Sequence, residues 1–127
     1  MQDRLLFEYS VLRLMPRVER EEFLNVGVIL YCSAGSFLQC RYEINRQRID
    51  SFCEKVDHAD LLDRLEAFNR ICNGSQGSGP IGELPLPSRF RWLTANRSTI
   101  LQSSGIHPGL CLDPEQTLNK LFVELVK

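Results

Sequence analysis

Nothing in these 127 residues is long and apolar enough to span a membrane as a helix: Val26 to Cys32 falls far short of the ~20 residues required. The first residues also lack the apolar stretch and small-residue cleavage site of a secretory signal, so a cytoplasmic protein is expected. Neither sign of charge dominates: 15 Lys plus Arg stand against 16 Asp plus Glu, for a net charge of −1. No global field therefore draws the chain to a nucleic-acid backbone, and nucleic acid is not an expected partner. The five cysteines are widely spaced, with no C-x-x-C and no His at zinc-finger spacing, so neither a metal site nor a disulfide framework is expected. Cys40 and Cys53 fall on apolar faces of expected elements, where a free thiol serves as a small hydrophobe. Gly74, Gly77, Gly79 and Gly82 do not follow the G-x-x-x-x-G-K-[ST] order of a phosphate loop, and no cofactor is expected. Internal repeats are absent as well.

What is present suits one globular domain. Hydrophobic residues make up 43% and charged residues 24%, with Arg far outnumbering Lys, a bias toward forked contacts with carboxylate or phosphate. Alternation at period two predicts strands over Leu5 to Leu14 and Phe23 to Cys32, with Leu24, Val26, Val28, Leu30 and Cys32 on one face. Pro16 ends the first strand, and the charged stretch to Glu22, including Glu19 and Glu21, is expected on a solvated connection. After the Ala34-Gly35 turn, Leu38, Cys40, Tyr42 and Ile44 alternate with Phe37, Gln39, Arg41 and Glu43, predicting a third antiparallel strand with one wetter face.

From Asn45 the period changes to about 3.6. Ile49, Phe52, Cys53 and Val56 form one helical stripe; Leu61, Leu65, Phe68 and Cys72 form a second, capped by Asp57 or Asp60 and stopped at Asn73-Gly74. Glycine and proline concentrate at about 73–88, where an irregular loop is expected. Phe90 to Thr94 and Thr99 to Gln102 read as two more strands around a polar turn, with Trp92 as a core anchor. A small-residue loop through His107 and Gly109 then leads to a last helix, with Asp113 at the N-cap, Pro114 at N1 and Gln116 at N3. Its stripe is Leu118, Leu121, Phe122 and Leu125.

Two stretches carry a resemblance. Tyr9-Ser10-Val11-Leu12-Arg13-Leu14-Met15-Pro16 followed by Glu22-Phe23-Leu24-Asn25-Val26-Gly27-Val28, and Arg97-Ser98-Thr99-Ile100-Leu101-Gln102-Ser103 followed by His107-Pro108-Gly109-Leu110, are similar to the two signatures of the bacterial DUF3037 family. The resemblance extends over nearly the whole chain as a single domain. Leu14-Met15 departs from it, since an aromatic or small apolar residue followed by Val is expected there. The family carries no assigned activity. Its members are often encoded beside a HipA-like kinase, which implies an accessory partner of such a kinase.

The polar residues within these stretches are the candidates for ligand or partner contacts: Arg13, Asn25, Arg97, Ser98, Thr99, Gln102 and His107, with Glu22 and Ser104 beside them. Asn25 interrupts an apolar strand, so its amide needs either a partner at a bulge or a polar cleft, and Gly27 leaves room on the same face. Arg97-Ser98-Thr99 places a guanidinium and two hydroxyls at a strand entrance, able to hold an anion or simply to cap a turn. His107 offers acid–base chemistry if it meets such an anion; otherwise it braces its loop. Arg41, Arg46, Arg48, Arg89 and Arg91 could assemble a basic stripe for nucleic acid, but scattered acidic residues and the absence of nucleic-acid motifs argue against it.

These observations predict an α+β fold, an antiparallel sheet of about five strands with helices packed mainly on one face. They favour a non-catalytic interaction or regulatory module binding another protein, with a second copy of the chain as an alternative partner. The contrasting expectation is a small anion- or nucleotide-binding enzyme or sensor built on Arg97, Thr99 and His107.

Overall fold

The computed structural model describes residues 3–95, 97 and 99–127, apart from the side chain of Val18. A five-stranded antiparallel sheet carries helices on both faces, most of them on one. Its strands are β1 (Leu5–Leu14), β2 (Leu24–Cys32), β3 (Phe37–Tyr42), β4 (Leu101–Ser103) and β5 (His107–Cys111). β1 is central. β2 and then β3 lie on one side, while β4 and β5 share the other, β4 against Leu12–Leu14 and β5 against Leu5–Tyr9.

Ser104 makes that shared lane continuous where the chain leaves β4. Its backbone N–H donates to the Val11 carbonyl at 2.8 Å, and its hydroxyl oxygen accepts from the Val11 N–H, also at 2.8 Å. The buried Ser10 hydroxyl donates to the Ser104 carbonyl at 2.8 Å. Two buried hydroxyls thus satisfy backbone groups that a regular ladder would have paired.

The β1–β2 register slips between Leu12, which faces Gly27, and Arg13, which faces Asn25, so Val26 is the extra residue of a bulge. The uniform face expected for β2 is therefore divided. Val26 packs with Ile29 in one core, whereas Val28, Leu30 and Cys32 join the other. Asn25 and Gly27 do not share a face, and the space at Gly27 is occupied rather than free. A Cβ there would lie 2.8 Å from the Arg41 carbonyl oxygen and 3.0 Å from the Tyr42 Cβ.

Beneath the first face lie α1 (Arg46–Phe52), α2 (His58–Asn73), α3 (Gly79–Gly82) and α4 (Leu86–Leu93). Asn45 and Asp57 cap α1 and α2 by accepting from backbone N–H groups, and Gly74 ends α2 in the left-handed conformation. The Gly/Pro-rich segment thus contains α3 and the start of α4. The strand expected at Phe90–Thr94 lies instead on α4 and its C-cap. Pro87, within the first two residues of α4, suits a helix start, and Phe90 and Leu93 bury the same side one turn apart. Trp92 points outward at 39% exposure, with its ring near Phe68. The fifth strand is β5, made from the segment expected to be a loop; Gly109 lets the Phe7 ring lie across it, where a Cβ would come within 2.5 Å.

On the second face α5 (Pro114–Leu125) runs over β2 and β3. Asp113 accepts from the N–H groups of Glu115 and Gln116, and Leu118 is fully buried with Leu121, Phe122 and Leu125 packed around it. Among the described residues no helix is long and apolar enough to cross a membrane.

Candidate functional site

The bulge and the β4 pairing set three of the expected residues in one row across the sheet. Arg13 is directly opposite Asn25 on one side and Gln102 on the other, so all three side chains emerge on the face that carries α5. Asn25 uses its amide N–H to reach the last turn of that helix, donating to the Leu125 carbonyl at 3.0 Å. This is the satisfied-bulge outcome for its Nδ2. Its Oδ1 is buried without a partner, and so is Nε of Arg13 beside it. The acceptor and the donor left over belong to residues directly opposite each other in the sheet.

The Arg13 guanidinium carbon lies 4.0 Å from the centre of the Phe23 ring, close enough for a cation–π contact that fixes the otherwise flexible head group. Arg13 makes no ion pair among the described residues. Phe23 remains 42% exposed. Gln102 turns its amide toward the Thr99 carbonyl at 2.5 Å.

His107 lies farther along the same face, opposite Tyr9, with their rings 5.2 Å apart. Tyr9 and Arg13 are four residues apart on β1, roughly 13 Å at ~3.3 Å per residue. α5 lies over β2 and β3, and Phe7 of β1 and Cys111 of β5 are buried in one cluster with Leu118 and Val126, so that Tyr9, Arg13 and Gln102 are half-buried and His107 is exposed at the margin of this cover. Phe23 and Tyr9 were not among the candidates chosen from sequence. Their strand parity relative to Asn25 and Arg13 was the available signal.

Arg97 and Thr99 belong to the other face. They line a hollow with Phe68, Ile71, Trp92 and Leu101, against α2 and α4. Arg97 donates to the carbonyls of Leu93 at 2.9 Å and Trp92 at 2.6 Å, and its guanidinium sits over the Trp92 and Phe68 rings. Burial lowers its pKa from the ordinary guanidinium value. These contacts end α4. Thr99 donates to the Leu101 carbonyl at 2.9 Å. Arg97 and Thr99 thus do not meet His107, and Ser98 lies outside the described residues. Ser104 is the strand joint, while Glu22 is exposed and paired with Arg20 at 2.7 Å.

The remaining cations are dispersed. Arg41 meets Asn119 and Glu115 of α5, Arg48 donates to the Val126 carbonyl, and Arg89 binds carbonyls at the end of α2. A cleft of about 410 Å³ lies between Pro16–Glu22 and Phe52–Lys55, bordered by Arg17 and Lys55 but also by Glu22 and Glu54. No group of three metal-ligating side chains occurs among the described residues.

The fold is an α+β domain whose central sheet packs against helices on both faces and leaves the cross-strand pair Leu6–Leu110 exposed on the face that carries α2. The family model described as "Protein of unknown function (DUF3037)" matches residues 9–126, nearly the whole chain, and the protein belongs to this family. No curated protein matches the chain, and no solved structure matches it.

Proposed function

We propose that this domain is a non-catalytic interaction module that docks another protein on the strip formed by β1, β4 and β5. The observation that carries the reading is the margin of the second face beside α5, where Tyr9, Arg13 and Gln102 are half-buried and Phe23 and His107 are exposed. α5 leaves the Asn25–Arg13–Gln102 row and the Tyr9–His107 pair beside its edge. Aromatic rings, amides and a held guanidinium in one strip suit protein recognition, where Tyr and Arg are frequent anchors. The separation of Arg97 and Thr99 from His107 removes support for an acid–base site made from those three.

A HipA-like kinase is the partner to test first, with this domain as its accessory or regulatory subunit. The purified proteins are mixed and resolved by size-exclusion chromatography with light scattering. The expected result is a stoichiometric complex weakened at least tenfold by Tyr9→Ala or Phe23→Ala, and unchanged by Trp92→Ala on the opposite face. A complex insensitive to both strip substitutions places docking elsewhere. Self-association lost in those same variants assigns the strip to a second copy.

A further inference from the structure

We propose that β5 is the seam of a homodimer, in which two copies of this chain pair β5 with β5 antiparallel about a two-fold axis at Leu110 and join their sheets into one. β5 pairs with β1, and among the described residues no strand lies beyond it. The Ser104 N–H meets the Val11 carbonyl, so the odd-numbered residues of β1 turn their backbone groups toward this side of the sheet. Leu5, Phe7 and Tyr9 therefore bond Cys111, Gly109 and His107, while Pro108, Leu110 and Leu112 point their backbone groups outward. Pro108, with no N–H to give β1, stands on the outer edge, where proline is tolerated.

The side chains of this edge are apolar where an open strand is normally protected by charge. On the face that carries α2, Leu6 and Leu110 stand opposite each other at 59% and 60% exposure, and Leu112 and Ile106 are exposed at either end of β5. Pairing about Leu110 sets them in an uncharged row, Leu6 and Leu110 of one copy followed by Leu110 and Leu6 of the other. The four exposed apolar residues of each copy offer roughly 400 Å², close to the apolar share of one side of a standard interface.

The same register selects a second copy as the occupant. Leu110 exchanges both backbone bonds with its copy, and each Leu112 N–H donates to the other copy's Pro108 carbonyl. The donor that Pro108 lacks is thereby missed at each end of the ladder, where the chain turns into α5, rather than within it. On the other face His107 comes opposite Asp113 of the second copy. Asp113 caps α5 through Oδ1, which leaves Oδ2 to accept from the imidazole. A net charge of −1 does little to oppose self-association.

The full chain is followed by sedimentation equilibrium from about 1 μM to about 1 mM, the range of weak specific association. The expected result is a monomer–dimer equilibrium, weakened roughly tenfold or more by Leu110→Lys or Leu110→Glu, each of which sets like charges against each other across the axis. Mixing the two variants is expected to restore the dimer, because residue 110 alone meets itself. Hydrogen exchange of the parent needs no variant: the Leu110 and Leu112 amides are expected to slow as concentration rises. A chain still monomeric at about 1 mM overturns the proposal. So does a dimer whose Leu110 and Leu112 amides exchange as fast as in the monomer, or a mixture of the two folded variants that stays monomeric. Protection of the Leu110 amide only on adding the kinase tested above overturns it in favour of a strand from that protein. Phe23→Ala, on the other face, is expected to leave this dimer intact, so failure of the docking reading and failure of this one are seen separately.

Discussion

Arg89, Arg97 and Arg13 show three fates of the same side chain. Arg89 donates through one nitrogen to the carbonyls of Ile71 and Cys72 and through Nε to that of Leu84, each at 2.9 Å. It therefore closes the end of α2 and ties it to the segment before α4. Arg97 does the same for α4, whereas Arg13 has only an aromatic ring beneath it. Composition anticipated forked contacts to carboxylate or phosphate, but two of these forks are occupied by backbone carbonyls at helix ends. Nothing in the residues flanking each arginine separates the cases, because the accepting carbonyls belong to segments up to 18 residues away. Arg89→Ala is expected to destabilise the fold by about 2 kcal/mol, since charge-assisted bonds are lost and helix-end carbonyls are left without partners. Urea unfolding measures this; a change below about 0.5 kcal/mol would show that water replaces the guanidinium without cost.

At the scale of elements, local signals identified several boundaries correctly. β1 spans the expected Leu5–Leu14, α2 starts at its Asp57 cap and stops at Gly74, and α5 follows Asp113-Pro114. Each rests on one local rule: period two, a side-chain cap, or glycine in a left-handed turn. The failures have equally physical origins. Phe90 to Thr94 is too short for periodicity to distinguish strand from helix, and the prolines upstream decide for helix. His107–Cys111 carries Pro and Gly, which argue against a strand, yet Phe7 lies across Gly109 and β1 supplies the pairing.

The bulge at Val26 has its own test. A Cβ at Gly27 would meet the backbone oxygen of Arg41 at 2.8 Å, a contact that can be relieved only by moving β3. Gly27→Ala is therefore expected to cost about 1–3 kcal/mol, as overpacking usually does, and to broaden the amide signals of both β2 and β3. A variant as stable as the parent would mean that the bulge relaxes without disturbing the sheet.

Across the whole molecule, the cysteines contribute to packing. Cys32, Cys40, Cys72 and Cys111 are buried and unpaired by disulfides, distributed between the two cores. The neighbouring Cys40 thiol, and then burial, push the Cys72 pKa well above its ordinary value; burial raises those of Cys111 and Tyr42. A proton held more tightly in the folded state contributes stability that is complete below the unfolded-state pKa, about 8.5 for a thiol, and is lost as pH rises. The melting temperature is thus expected to fall between about pH 8 and pH 10. Cys72→Ala should show a shallower fall over the same range. An unchanged slope would remove Cys72 from the linkage and leave Cys111 to account for it, because Tyr42, with an unfolded-state pKa of about 10, contributes only above this range.

By itself the sequence determined the α+β class, the central strands, and the caps of α2 and α5, because repeat period and capping act over one or two turns of chain. It also singled out Arg13, Asn25, Gln102 and His107 as polar residues in a mainly apolar setting. Only the tertiary structure decided that these four share a face while Arg97 and Thr99 lie on the other. One bulged residue reverses strand parity, and how far the cover of α5 reaches depends on packing between segments about 100 residues apart. Neither effect is encoded in the immediate neighbours of the residues it places.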